Sequence, residues 1–264
     1  MKIGIVLSGG GIRGIAHLGV LKALKDKGLK ISEITGTSAG AIVGALYANN
    51  VDPYEALQIF QKTQLLRLLK LALGQPALLN LESAYPLFKE YLPEDTFESL
   101  KIPLTTTATN FSTGKLVYFN KGLLINKIFA SSSIPGIFSP LLIDGDIYVD
   151  GGVLNNFPIE PLLNNCDFII GSSCNNLSEI TSIRNMKHAI ERAAALTTNR
   201  DMEEKRKLLD VLIEPHGLGE TSTFDIGKAE DIYWIAHEET LKKIAQSEML
   251  TKIIQLSKKQ TPIK

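Results

Sequence analysis

The first fifty residues alternate between apolar runs and segments with apolar positions at helical spacing. Residues 2–7 form an apolar run with β-branched members, and the apolar positions from Ile15 to Leu24 recur at helical spacing. A second short apolar run at 31–35 precedes a glycine-flanked turn and another helical segment at 39–49. This strand-turn-helix order, met twice, predicts a parallel sheet with helices on both faces.

The rest of the chain continues the strand pattern after an interruption. Residues 53–100 are leucine-rich and helical in pattern, but Pro76, Pro86 and Pro93 break them into short pieces, which predicts a helical insertion over the core. We therefore predict an α/β protein with a doubly wound, mostly parallel sheet flanked by helices. Further strands are predicted at 103–110, 115–120, 146–149, 167–172 and 210–214, and further helices at 186–208 and 228–257.

Length and charge limit the domain organisation and the partners. A chain of 264 residues can form one large α/β domain, which we place at 1–215, with a helical extension at 216–264 packed on the same domain. The 28 basic and 28 acidic residues cancel, so no charge excess favours nucleic acid as a partner. The oligomeric state and the role of the extension stay open.

The compartment is inferred from the apolar runs and the cysteines. The N-terminal apolar run is too short for a signal peptide, and no stretch reaches the ~18 apolar residues that a membrane-spanning helix needs. Cys166 and Cys174 make no disulfide framework, which fits a reducing compartment. We expect a cytoplasmic protein, with peripheral contact at the inner face of the membrane as a further option.

Residues 64–73 are the candidate for that contact. They predict a leucine-rich helix in which Arg67 and Lys70 share one face. In one interpretation this helix is a mobile lid or an interfacial helix that touches lipid. In the other it is a fixed cover packed on the core, and its two charges reach solvent.

Ser38 lies at the centre of Gly36-Thr37-Ser38-Ala39-Gly40, which follows a predicted strand and opens a predicted helix. In that position a G-x-S-x-G sequence places a serine hydroxyl on a cramped turn, and its glycines leave the room that this requires. The following helix adds a positive dipole end and free amides. Ser38 is therefore a candidate nucleophile. The alternative is a serine that only caps the helix.

A second glycine-rich segment, Gly-Gly-Gly-Ile-Arg-Gly at 9–14, also lies between a strand and a helix. In one interpretation the amides of Gly10 and Gly11 form an oxyanion hole, while Arg13 holds the loop or adds charge. In another the segment is a dinucleotide fingerprint, although the second strand ends without the acidic residue that this function requires. In a third the glycines serve only close packing.

Asp150 begins the sequence Asp150-Gly151-Gly152 at the end of a predicted strand. A serine nucleophile needs a base, and a carboxylate can serve where burial raises its proton affinity. The alternative is a simple Asp-Gly turn. None of the four histidines follows the acid in a loop suited to a base, and His17 is interpreted as a packing residue. The sequence thus favours a two-residue mechanism at the carboxyl ends of parallel strands.

These three motifs resemble those of the patatin-like phospholipase family, namely G-G-G-x-[RK]-G, G-x-S-x-G and D-G-[GA] in the same order. Residues 130–136 are similar to the family's A-S-x-A-x-P segment, with Ser133 where alanine is usual. The resemblance covers about 2–172 and implies a three-layer α/β/α fold. It implies Ser38 as nucleophile, Asp150 as base, an oxyanion loop of Gly10, Gly11 and Arg13, and supporting glycines at Gly9, Gly14, Gly36, Gly40, Gly151 and Gly152.

The resemblance also implies a reaction. Asp150 takes the proton of Ser38, the serine attacks an ester carbonyl, and water later releases the acyl group, with no Ca²⁺, other metal or cofactor. The expected substrate is a lipid or another acyl ester, and phospholipid, lysophospholipid and acylglycerol are not separated. The alternative function is a catalytically silent regulatory or nucleotide-binding protein that uses the loop at 9–14.

Overall fold

The structure is a computed structural model of the chain. It describes residues 1–62, 70–71, 77–177, 179–218 and 226–259. Strands are numbered β1–β10 and helices α1–α9 in chain order within these ranges.

Parallel strands form the centre of the main sheet. β1 (Ile3–Leu7) lies between β2 (Glu33–Gly36) and β9 (Phe168–Ser172), with β5 (Leu104–Asn110) beyond β2 and β10 (Val211–Ile213) beyond β9. The chain therefore builds outward from β1 to one side and later returns to its other side. Ligands bind outside the carboxyl ends of the strands at such a change of direction.

Antiparallel strands extend one edge of this sheet. β8 (Asp146–Asp150) pairs with the end of β5, β7 (Leu141–Ile143) pairs with β8, and β6 (Lys115–Phe119) also pairs with β5. A separate ribbon joins β3 (Lys70–Leu71) to β4 (Leu79–Asn80). The sequence pattern did not predict β3, β4 or β7, because a periodicity cannot be read in two or three residues.

Helices cover both faces of the sheet, and β1 is buried along its whole length, as expected for a central parallel strand. The prediction of a doubly wound, mostly parallel α/β sheet flanked by helices is confirmed. The helices are α1 (Ala16–Asp26), α2 (Ala39–Ala48), α3 (Pro53–Lys62), α4 (Tyr85–Tyr91), α5 (Ile125–Ser132), α6 (Met186–Thr198), α7 (Met202–Arg206), α8 (Ala229–Gln246) and α9 (Glu248–Lys259).

The helix predicted at 186–208 is wrong in its length, because it is divided into α6 and α7. Thr197, Thr198 and Asn199 bond through their side chains to carbonyls of the preceding turn. Such side chains compete with the backbone for hydrogen bonds and weaken a helix interior. The helix predicted at 228–257 likewise divides into α8 and α9 at Ser247, whose hydroxyl accepts the amide of Leu250.

The insertion at 53–100 is helical only in part, since it contains β3 and β4 as well as α3 and α4. Most of the helix predicted at 64–73 lies outside the described residues. The prediction is wrong at Lys70–Leu71, which form β3. Within the described ranges, no helix is both long and apolar enough to span a membrane.

The extension at 216–264 contributes α8, which packs along α1. Gly19 of α1 permits this contact, because a side chain there would overlap the backbone of Tyr233. Tyr233 and Ala236 of α8 are buried in the resulting interface. The boundary placed at residue 215 stays a prediction.

Candidate active site

Ser38 sits on a strained turn between β2 and α2. Its φ of 55° lies in the left-handed region that a serine adopts only where the surrounding structure enforces it. Ser38 occupies the N-cap position of α2, but its side chain makes no capping hydrogen bond. The interpretation of Ser38 as a helix cap is therefore wrong, and its hydroxyl is available for other contacts.

Close packing against β1 enforces the turn. A Cβ on Gly40 would lie 2.7 Å from the carbonyl carbon of Leu7, and one on Gly36 would lie 2.5 Å from the carbonyl oxygen of Gly40. Both distances are far below van der Waals contact, so a side chain at either position would push the turn away from the sheet. The two glycines thus let Ser38 lie at the carboxyl end of the central strands.

Asp150 is buried at the end of β8, where the pairing of Ala108 with Asp150 places it beside β5. Its Oδ1 accepts the amide of Gly152 at 2.7 Å. Burial raises the pKa of Asp150 to about 6, while the hydrogen bonds from Ser38 and Gly152 oppose the rise. Asp150 therefore forms the predicted Asp-Gly turn and also interacts with the side chain of Ser38.

The end of α5 holds both residues. The amide of Ser38 donates to Oγ of Ser131 at 2.9 Å, and the amide of Asp150 donates to the carbonyl of Ser133 at 2.9 Å. The hydroxyls of Ser132 and Ser133 bond back to carbonyls of their own helix, so Ser131 is the serine of this trio that contacts Ser38. Sequence reasoning missed this role, although the serine run at 131–133 marked the segment.

The loop at 9–14 lies against the Ser38 turn. A Cβ on Gly9 would lie 3.1 Å from Cβ of Ser38. The amide of Gly9 donates to the carbonyl of Asn156 at 3.1 Å, whereas the amides of Gly10 and Gly11 meet no acceptor within the described part of the chain. Gly11 has a φ of 59°, which favours glycine. The loop thus offers adjacent unpaired donors, the composition that an oxyanion hole needs.

Arg13 fixes the shape of this loop. Its Nη2 donates to Oδ1 of Asn175 at 3.2 Å, and its Nε reaches the carbonyl of Gly10 at 3.5 Å. Asn175 in turn donates through Nδ2 to the carbonyl of Gly9 and, at 3.3 Å, to Oγ of Ser8. The sequence left two roles open for Arg13, holding the shape of the loop or adding charge. These contacts favour the first. Asn175 had not been singled out from the sequence.

A partly exposed salt bridge anchors the segment after Asp150. Nζ of Lys205 lies 3.0 Å from Oε1 of Glu160 and donates to Oδ1 of Asn155 at 2.6 Å and to the carbonyl of Phe157 at 2.8 Å. These bonds flank Asn156, whose carbonyl holds Gly9. A small cavity, open to solvent, lies between this segment and the turn that joins α6 to α7.

His17 is not placed to act as the base. Its Nδ1 lies 2.7 Å from Oγ of Ser172, and its Nε2 lies 2.8 Å from the carbonyl of Ser8. Burial lowers the pKa of His17 to about 4, against a smaller opposing effect of the bond to Ser8. The histidine therefore ties the ends of β1 and β9 together in its neutral form. Its interpretation as a packing residue is consistent with these contacts.

Among the described residues, no group of three or more histidine, cysteine or carboxylate side chains is arranged to hold a metal ion.

Comparison with known proteins identifies the family. Residues 5–163 match the profile of the patatin-like phospholipases. The chain belongs to the patatin-like phospholipase family. The matched segment contains the glycine loop, the Ser38 turn, the end of α5 and Asp150. The predicted resemblance is confirmed.

Relatives of this patatin-like chain occur in bacteria and fungi. An uncharacterised NTE family protein of Mycobacterium bovis is 36% identical over 178 residues, which cover 66% of this chain and 49% of the relative. Lysophospholipase NTE1 of Mycosarcoma maydis is 32% identical over 177 residues, which cover 62% of this chain and 9% of the relative. The chain thus spans about half the length of the mycobacterial relative and about a tenth of the fungal one.

A solved structure shares the patatin-like fold. VipD from Legionella pneumophila superposes with a TM-score of 0.55 at 14% identity, over 93% of this chain and 67% of VipD. At this identity the likeness concerns the fold alone. It agrees with the mixed sheet flanked by helices described above.

Proposed function

We propose that this chain is a serine acyl hydrolase that cleaves carboxylic esters of lipids through Ser38 and Asp150. The observation that carries the proposal is the pairing of a strained serine with a buried aspartate, because burial raises the pKa of Asp150 to about 6 and the Ser38 side chain opposes that rise. A carboxylate with this pKa is charged at neutral pH, yet it binds a proton more readily than an exposed aspartate does.

The first half of the reaction transfers the acyl group to Ser38. As Oγ of Ser38 bonds to the ester carbonyl carbon, Asp150 takes the hydroxyl proton. The carbonyl oxygen becomes negatively charged and is stabilised by the amides of Gly10 and Gly11. The intermediate collapses when the bond to the alcohol breaks, and the leaving alcohol takes the proton from Asp150. The acyl group remains as an ester on Ser38.

The second half of the reaction releases the acid. A water molecule gives a proton to Asp150 while its oxygen bonds to the acyl carbon, and the same amides stabilise the second oxyanion. Collapse breaks the bond to Oγ of Ser38, which takes the proton back from Asp150. Both residues return to their starting states, so the cycle consumes only ester and water.

Monoacyl phospholipid is the substrate that we propose first. The fungal relative is named a lysophospholipase. The cavity beside the loop at 9–14 is lined mainly by polar residues, among them Asn156, Asn175 and Thr198, and it is open to solvent. Such a lining suits the polar headgroup of this lipid and not its acyl chain.

The test is ester release by purified wild type, Ser38→Ala and Asp150→Asn, on lysophosphatidylcholine and on p-nitrophenyl esters of increasing acyl length. We expect each variant to lose roughly 10²–10⁴-fold or more in kcat, because each removes an unreplaced step of proton transfer or bond formation. A fluorophosphonate probe should label wild type at Ser38 and leave Ser38→Ala unlabelled.

Two matched controls guard against loss of fold. Asp146→Asn removes a carboxylate from the start of the same strand, where it accepts Nδ2 of Asn110 at 2.9 Å. Ser132→Ala removes a hydroxyl that bonds only within α5. Both should keep wild-type kcat within a few-fold. Full activity in Ser38→Ala, or a wild type inert toward every ester, would refute the proposal.

A further inference from the structure

Helix α6 exposes its apolar side chains. Met186 is 79% exposed, Ile190 is 62% exposed and Leu196 is 51% exposed, and Ala193 is exposed as well. Positions 186, 190 and 193 lie on one side of a helix because they are spaced by four and three residues. We call Met186, Ile190, Ala193 and Leu196, together with Ile183, the α6 outer face.

The opposite side of α6 is polar and faces the protein. His188, Glu191 and Arg192 are half-buried there, and Thr198 follows on the same side near the end of the helix. A surface helix of a soluble domain ordinarily turns its apolar side to the core and its charged side to water. The arrangement in α6 is the reverse, so packing on this domain does not explain its apolar residues.

The α6 outer face is continuous with the segment before it. Ile183, three residues ahead of the helix, is 63% exposed, and Ile180 is exposed too. Apolar side chains exposed in one continuous segment mark a surface that meets an apolar partner.

This face lies close to the candidate active site. α6 packs against the turn Gly151–Val153, which directly follows Asp150, and Val153 of that turn is also exposed. The residues after α6, Asn199 and Arg200, line the cavity together with Gly152. The helix that carries the α6 outer face therefore lies next to the site, with exposed Val153 beside it.

The charge of the segment favours an anionic partner. Arginine and lysine flanking an apolar face are typical of helices that lie in the headgroup region of anionic membranes. Between residues 184 and 201 there are four basic residues and two acidic residues, a net charge of +2, in chain order Arg184, Lys187, Glu191, Arg192, Arg200 and Asp201. Arg200 forms a salt bridge with Asp201, whereas Arg184 is exposed ahead of the helix.

We propose that the α6 outer face docks this protein on the surface of an anionic lipid bilayer. The choice of lipid rests on the proposed function, because a lipid hydrolase must reach a substrate that resides in a bilayer or micelle. Insertion of Met186 and Ile190 among the acyl chains supplies the apolar part of the binding, and the net positive charge of the segment, with the exposed Arg184, supplies the electrostatic part. The surface is distinct from the one predicted at 64–73.

The test is vesicle binding, measured by co-sedimentation in the Ser38→Ala background so that no lipid is consumed. Vesicles of phosphatidylcholine are compared with vesicles of phosphatidylcholine mixed with phosphatidylglycerol. We expect binding to the mixed vesicles, weakening as NaCl is raised, and a drop in the partition coefficient of roughly tenfold or more in Met186→Gln/Ile190→Gln.

The matched control is Met249→Gln/Leu256→Gln on α9, where the two side chains are 52% and 40% exposed. This variant removes the same kind of side chain from another exposed helix, and its binding should equal that of the background protein. Far-UV circular dichroism and the midpoint of thermal unfolding report whether each variant is folded.

The outcomes separate the inference from the proposed function. Vesicle binding that depends on Met186 and Ile190 supports the surface even if the wild-type enzyme hydrolyses no ester. Absence of binding, or equal binding by both double variants, overturns it. Self-association that is lost in Met186→Gln/Ile190→Gln, without vesicle binding, assigns the face to a second copy of this chain and overturns the lipid proposal.

Discussion

Two buried titratable side chains near the carboxyl ends of the sheet, Asp150 and His17, resemble each other in position and differ in use. Each is buried, and each contacts a serine hydroxyl, that of Ser38 for Asp150 and that of Ser172 for His17. In each case burial favours the uncharged form, so the pKa of the acid rises to about 6 and the pKa of the histidine falls to about 4.

The difference lies in which group gives the proton. The carbonyl of Ser8 can only accept, so Nε2 of His17 carries the hydrogen and Nδ1 accepts the hydroxyl of Ser172. Both ring nitrogens are then used in holding the strands together. Asp150 instead lies beside the side chain of Ser38, which sits on a strained turn. The backbone amide of Ser38 donates to Ser131. Burial alone therefore does not distinguish the proposed base, Asp150, from His17. The groups that each side chain contacts make the difference.

The largest expected effect is on the pH dependence of hydrolysis. In the proposed mechanism Asp150 must be ionised to take the proton of Ser38, so kcat/KM should fall roughly tenfold per pH unit below a pKa of about 6. In His17→Gln this acidic fall of kcat/KM should keep the same pKa, since His17 is already neutral in this pH range. The measurement is kcat/KM for a soluble p-nitrophenyl ester from pH 4.5 to pH 8, at about half-unit steps.

If the acidic fall of kcat/KM moves or vanishes in His17→Gln, the titrating base is the histidine and not Asp150. A profile flat down to pH 4.5 would show that no group with this pKa controls the reaction.

The second expected effect is on the free energy of unfolding, to which Asp150 and His17 contribute with opposite dependence on pH. The unfolded chain releases the Asp150 proton near pH 3.8, while the folded chain keeps it until about pH 6, so Asp150 lowers stability as pH rises through this window. The unfolded chain protonates His17 below about 6.5, while the folded chain resists until about 4, so His17 lowers stability as pH falls. Each contribution is about 3 kcal/mol at most.

Urea denaturation at pH 4 and at pH 7 measures both slopes. The free energy of unfolding of Asp150→Asn relative to wild type should rise between pH 4 and pH 7, because the variant has no buried carboxylate to ionise. The advantage of wild type over His17→Gln should instead shrink between pH 7 and pH 4. Slopes of the same sign in the two variants would contradict the opposite pKa shifts.

The smallest expected effects come from replacing the serine near each buried side chain, Ser131 near Asp150 and Ser172 beside His17. Ser131→Ala removes the acceptor of the Ser38 amide and should lower kcat by about tenfold, with KM nearly unchanged, because the hydroxyl loses alignment with Asp150. Ser172→Ala removes the donor to His17 and should cost about 1 kcal/mol of stability with kcat kept within a few-fold.

Ser131→Thr, which restores a hydroxyl, should recover part of the lost kcat and so separate positioning from a loss of packing. Equal kcat values in Ser131→Ala and Ser172→Ala would contradict the expectation that only Ser131, near Asp150, affects the reaction.

The sequence was sufficient for the elements whose pattern is long and local. The apolar run of β1, the helical spacing of α1 and the glycines around Ser38 predicted the strand-turn-helix units, because each depends on residues close together in the chain. The same reasoning failed where side chains compete with the backbone, as at Asn199, and where a strand has only two or three residues, as at Lys70–Leu71.

By itself, the sequence determined the family, the sheet class and the candidates Ser38 and Asp150, because glycine-framed turns at strand ends leave a local record in the chain. Only the tertiary structure decided which contacts these residues make. Ser131 and Asn156 lie more than ninety residues from the partners whose amides they accept, and the outward orientation of the apolar side of α6 depends on how the helix packs. Such contacts arise when distant segments meet, and no local pattern records them.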